Sequence, residues 1–122
     1  MKEIKKLPDS ELEIMHVIWD AGDWVTSEYI RGVLKNTWAK TTLLNFLIRL
    51  SERGFVKCKK CGRINLYAPL IKREDYVKYE HKFLLKKFHK NSITDLVAAL
   101  YDTEAITQED LNELEEFIKG VK

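Results

Sequence analysis

At Gly54 the chain changes its hydrophobic period. Before it, "KTTLLNFLIRLSERGF" (Lys40 to Phe55) sets Leu43, Phe46, Leu47 and Leu50 at spacings of three and four, the stripe of a helix packed on a core. After it, "FVKCKKCGRINLYAPL" separates Val56, Cys58, Ile64, Leu66 and Ala68 by mostly polar residues, with a Lys- and Gly-rich break in the middle and Pro69 as a stop. Alternation interrupted by a turn signals a β-hairpin. Gly54 suits the junction, because a left-handed residue without a Cβ ends a helix cheaply. A helix that runs through one glycine into a two-stranded ribbon leaves few folds open.

The flanking segments narrow the choice. "LPDSELEIMHVIWDAGD" reads as a first helix. Pro8 and Asp9 suit its entry, and Glu11 and Glu13 favour the positive end of its dipole. Leu12, Met15, Ile18 and Trp19 form its apolar face, and "DAGD" stops it. Trp24-Val25 is a short extended piece. Thr26 or Ser27 then caps a second helix, "SEYIRGVLKN", with Ile30, Val33 and Leu34 as its stripe. Three helices followed by a ribbon is the order of a winged helix-turn-helix, whose third helix enters the major groove of DNA. The expected fold is therefore mostly α with a small β-hairpin, residues 1–70 making a winged-helix DNA-binding domain.

Residues 71–122 read as helical. "KREDYVKYEHKFLLKKFHK" aligns Tyr76, Tyr79, Phe83 and one of Lys86 and Lys87. Ser92 caps "SITDLVAALYD", and Thr107 with Asp110 resembles a capping box before a stripe of Leu111, Leu114, Phe117 and Ile118. Three short helices are too thin for a core of their own, so this region is expected to pair with a second copy of itself. Phe83, Leu96, Leu100, Leu114 and Phe117 are the expected dimerisation residues.

The 122 residues suit a single domain or a small domain with an assembly element. A hydrophobic share of 45% supports a core, and no apolar run approaches the roughly 18–20 residues that cross a bilayer. The start "MKEIKKLPDSELE" lacks an apolar signal region, so a cytoplasmic location without membrane association is expected. Two cysteines in such a chain argue against a disulfide framework. A net charge of +2 conceals a basic middle and an acidic end. Lys40, Arg49, Arg53, Lys57, Lys59, Lys60 and Arg63 face only Glu52 between Trp38 and Arg63, which suggests a nucleic-acid footprint.

Within that footprint, Lys40, Arg53, Lys57, Lys59, Lys60 and Arg63 are expected to neutralise phosphates, which gives affinity with little sequence information. Trp38 either braces the loop before the third helix or touches the DNA backbone. Cys58 and Cys61 form "CKKCG", half of a zinc knuckle in which a turn aims both thiolates at one metal. His81 and His89 are the available additional ligands. Incidental cysteines, a metal site and a redox pair all remain open, and no cofactor is implied. There is no Gly-rich phosphate loop and no evident catalytic constellation, so an enzyme is not expected. The competing readings are a winged helix that binds protein, and a metal- or redox-responsive regulator.

Four motifs in order resemble the BlaI/MecI/CopY group, the penicillinase, methicillin-resistance and copper-transport repressors of bacteria. "LPDSELEIMHVIW" is similar to that family's opening helix, with an acid ahead of a Met–x–x–Ile–Trp run. "TTLLNFLIRLSERGFV" resembles its recognition helix, "LYAPL" the end of its wing, and the stretch from Phe83 to Gly120 its dimerisation helices. The resemblance implies a homodimer that binds an inverted repeat in double-stranded DNA and blocks transcription. It also places Thr41, Thr42 and Asn45 where family members touch phosphate or base edges. Arg49 falls on the family's arginine, read as structural or backbone-facing. Leu44 stands where relatives usually carry Arg or another polar residue, so its contact would be apolar, for instance with a thymine methyl. Ala39-Lys40 replaces the frequent Ser-Pro at the helix entry. The tail has neither the Asn–Phe bond cut in the antibiotic-responsive relatives nor the cysteine motifs of the copper-responsive ones, so the family's inducing signals do not carry over.

Overall fold

The computed structural model describes residues 4–35 and 37–121. Helices α1 (Asp9–Ala21), α2 (Ser27–Leu34) and α3 (Lys40–Glu52) are followed by strands β1 (Val56–Cys61) and β2 (Ile64–Pro69). Helices α4 (Arg73–His89), α5 (Ile93–Asp102) and α6 (Gln108–Gly120) complete the chain. It forms two compact units, Met1–Glu80 and His81–Lys122. The division falls inside α4, beyond the boundary at residue 70 that the sequence suggested.

Local chemistry explains most element ends. Gly22 ends α1 in the left-handed region. The Thr26 side chain caps α2 by accepting from the Tyr29 N–H. At the end of α3, the Gly54 N–H donates to the Ser51 carbonyl and the Phe55 N–H to the Leu50 carbonyl, with Gly54 at φ 82°. Those two bonds are a Schellman ending, completed by apolar contact between its flanks, and Leu50 and Phe55 are both fully buried. In the ribbon, Cys61 pairs with Ile64 across a two-residue turn. Gly62 supplies φ 66° at the first turn position, where an L side chain would be strained. Val25 exchanges both backbone hydrogen bonds with Tyr67 and adds a one-residue bridge to β2.

The core of the first unit joins Ile14, Met15 and Ile18 of α1, Ile30 of α2 and Leu43, Leu47 and Leu50 of α3 to Phe55, Val56 and Tyr67. Ile14 and Val17 are buried on α1, whereas Leu12 and Trp19, expected on its apolar face, pack only partly against the core. Val33 is 50% exposed. In a helix of only eight residues, Ile30 and the partly buried Leu34 take up the inward face.

The start of α4 belongs to this core, which is why the unit extends to Glu80. Tyr76 is buried. Its hydroxyl accepts from the Leu7 N–H at 2.8 Å and donates to Glu80 at 2.8 Å. Burial, ahead of the contacts with Glu80, pushes the phenol pKa upward, so the hydroxyl keeps its proton as a donor. Trp19 Nε1 donates to the Ile71 carbonyl at 2.9 Å, and Arg73 pairs with Asp20. In the second unit, Ser92 caps α5 and Thr107 with Asp110 forms a reciprocal capping box on α6. No residue of α5 or α6 is buried.

Candidate nucleic-acid interface

Helix α3 presents its outward face by simple geometry. At about 100° per residue, Thr41, Asn45 and Ile48 fall on one line opposite the buried Leu43, Leu47 and Leu50. Thr41, Asn45 and Ile48 are all exposed. Thr42 and Arg49 lie on one flank, and the Arg49 guanidinium sits 5.8 Å over the Phe46 ring. Phe46 in turn packs on Trp38, ring centroids 5.1 Å apart, so Trp38 braces the entry to α3. Leu44 is on the other flank and half-buried.

On the Leu44 side a groove of about 280 Å³ separates α3 from the ribbon. Lys40 and Leu44 line it from α3, Arg63, Asn65 and Tyr67 from the ribbon, and the N-terminal turn of α2 (Thr26 to Glu28) closes it. Burial raises the Tyr67 phenol pKa, while the Asn65 side chain, hydrogen-bonded to it, pulls the other way. Two cations and a helix N-terminus around one groove suit an anionic backbone. Glu28 is the opposing charge. Nothing in the sequence pattern singles out Thr26, Ser27, Glu28 or Asn65 for this surface; the cap signal at Thr26 marks a helix end but not what that end faces.

Strand parity divides the wing lysines. Lys57 and Lys59 pair with Ala68 and Leu66, whereas Cys58 and Lys60 pair with Tyr67 and Asn65. Facing residues in an antiparallel ladder share a side, and successive residues alternate. Lys60 therefore shares the groove side with Asn65 and Tyr67. Lys57 and Lys59 are on the other side, their ammonium groups 5.2 Å and 4.1 Å from the Trp24 ring centroid. They form a cation–π stack there.

The same parity corrects the metal geometry suggested by "CKKCG". Cys58 and Cys61 are in one strand at odd separation, so they point to opposite faces instead of converging from a turn. Both are exposed. Among the described residues, no group of three or more His, Cys, Asp and Glu side chains is placed to hold a metal ion.

Arg53, expected among the phosphate contacts, is paired with a buried acid. Its guanidinium is 2.7 Å from the Glu11 carboxylate, and the Glu11 side chain is only 1% exposed. The pair joins the first turn of α1 to the end of α3. Arg53 serves to neutralise a buried acid.

In the second unit, an apolar groove of about 570 Å³ runs between α5 and α6, lined among others by Ile93, Val97, Tyr101, Leu114, Phe117 and Ile118. Of the expected dimerisation residues, Leu114 and Phe117 line it. Leu96 and Leu100 lie on another side of α5, Leu96 half-buried, and Phe83 is half-buried on α4 beneath the Lys87 ammonium. Among the described residues, no helix is long and apolar enough to cross a membrane.

A three-helix unit with a wing, a polar face on its third helix and a basic groove beside it has the form of a winged helix-turn-helix. The penicillinase repressor family matches residues 7–120, and the chain belongs to that family of transcriptional repressors. It is 31% identical over 123 residues to the penicillinase repressor of Bacillus licheniformis, covering 100% of this chain and 96% of that one. It is 26% identical over 111 residues to the methicillin resistance regulatory protein MecI of Staphylococcus aureus, covering 89% of each. The solution structure of the DNA-binding domain of the repressor BlaI superposes with a TM-score of 0.55 at 35% identity, over 62% of this chain and 94% of that one. The monomeric form of Bacillus licheniformis BlaI, in complex with the blaP half-operator, gives 0.51 at 35% identity over the same shares. The fold and family expected from the sequence are thereby established.

Proposed function

We infer that the protein is a cytoplasmic, non-catalytic repressor that binds an inverted-repeat operator as a homodimer. In this reading α3 enters the major groove, and Thr41 and Asn45 face the bases. Lys40, Lys60, Arg63 and the start of α2 hold the phosphate strand that passes between α3 and the wing. The carrying observation is the groove beside α3, where Lys40 and Arg63 converge on the flank of the reading face. The half-operator complex of the Bacillus licheniformis relative supports it. The residues beyond Glu80 join two such units, so that residues 1–80 read DNA and 81–122 assemble the dimer.

Fluorescence titration of labelled duplexes, beginning with the DNA upstream of the chain's own coding sequence, tests this reading. Binding should fall steeply with salt, with a logarithmic slope of about 0.9 per neutralised phosphate. Absence of binding at low salt rejects it. Lys60→Ala and Arg63→Ala should each lower the slope by roughly one unit per protomer. Lys59→Ala should leave it nearly unchanged, because that ammonium is over Trp24. Asn45 is the candidate for adenine readout, and Asn45→Ala should cost about 1–3 kcal/mol against the preferred base only.

A further inference from the structure

We propose that Ile48 is a specificity-determining residue that reads a thymine through its C5-methyl group. This rests on the reading of α3 as the helix that enters the major groove. The sequence suggested Leu44 for apolar readout, but Leu44 is half-buried against the groove beside the wing. Ile48 is 55% exposed in the middle of α3 and lies on the line of Thr41 and Asn45. It therefore extends the reading face one turn beyond Asn45.

The chemistry follows from what an isoleucine can and cannot do. It has no donor or acceptor, so it cannot read the amide and carbonyl edges of guanine, adenine or cytosine. Thymine alone presents a methyl group on the floor of the major groove. Moving that methyl and the branched end of Ile48 out of water together is favourable in proportion to the apolar area covered. Both of its immediate neighbours in the chain are otherwise engaged: Leu47 is in the core, and the Arg49 guanidinium is over Phe46. The resulting code is mixed, with Asn45 hydrogen-bonding one base and Ile48 selecting thymine at an adjacent step.

The test removes the methyl from the DNA. Duplexes are enriched on the full-length protein from a random pool, and each thymine of the selected sequence is replaced in turn by uracil, which keeps every hydrogen-bonding group. One position per half-site should lose affinity by about four-fold, the value of burying a single methyl group. For Ile48→Ala the same uracil substitution should be silent, while Ile48→Val should retain most of the discrimination. Because the side chain is exposed, both variants should match the parent in circular dichroism and thermal melting. Enriched duplexes in which uracil is silent throughout, or costs Ile48→Ala as much as the parent, would overturn the role of Ile48 and leave DNA binding standing. Failure of any duplex to enrich overturns both.

Discussion

Arg53→Met is expected to destabilise the first unit by about 3 kcal/mol, the lower end of the range for orphaning a buried charge. The lower end applies because Arg53 itself remains 39% exposed and water shares its charge. Glu11 cannot be rescued in the same way. Its carboxylate is 1% exposed, and without Arg53 a buried charge loses its partner. For a unit of this size the loss amounts to a fall in melting temperature of about 12–24 °C. Thermal melts followed by circular dichroism measure it. Glu11→Leu combined with Arg53→Met should recover most of the loss, since an apolar pair often replaces a buried ion pair at little cost. A single Arg53→Met variant that melts with the parent would show that the pair contributes nothing. The pair also fixes the end of the reading helix, so the single variant should bind DNA less tightly even below its melting range.

The fate of Arg53 shows where sequence reading stops. The features read correctly are those whose cause is local. The Thr107–Asp110 box is a contact three residues apart, Thr26 caps its own helix, and Gly54 ends α3 by its own φ. The sequence points Glu11 at the dipole of α1 because its partner is 42 residues away, and no periodicity announces a pair at that distance. The sequence pattern groups Tyr76 with the assembly helices, yet its hydroxyl meets the backbone of Leu7. The wing lysines show a different limit. The sequence suggested a Lys- and Gly-rich turn, whereas the turn is only Gly62-Arg63 and the lysines are in β1. Once the strand is that long, alternation puts Lys59 and Lys60 on opposite faces and separates Cys58 from Cys61. That one turn boundary decides both where the lysines point and whether the two cysteines can converge.

The second large effect concerns assembly. Leu114→Asp with Phe117→Asp is expected to leave a monomer by light scattering and to weaken specific DNA binding by about 10²–10⁴-fold. That is the range by which linking two weak modules raises overall affinity. The argument begins with exposure. Phe117 is 67% and Ile118 60% exposed, and the groove between α5 and α6 is apolar along residues contributed by both helices. Side chains of this kind in one patch are unusual on a monomer and characteristic of an interface. Two carboxylates placed there would have to be desolvated on association, which costs far more than the patch returns. The acidic C-terminal helix already carries Glu113, Glu115 and Glu116, so added Asp residues also bring like charges together. Both positions belong to the second unit, so the melting of the first unit and its binding to an isolated half-site should be unchanged. A double variant that remains dimeric would move the interface to the other side of α5, where Leu96 and Leu100 lie.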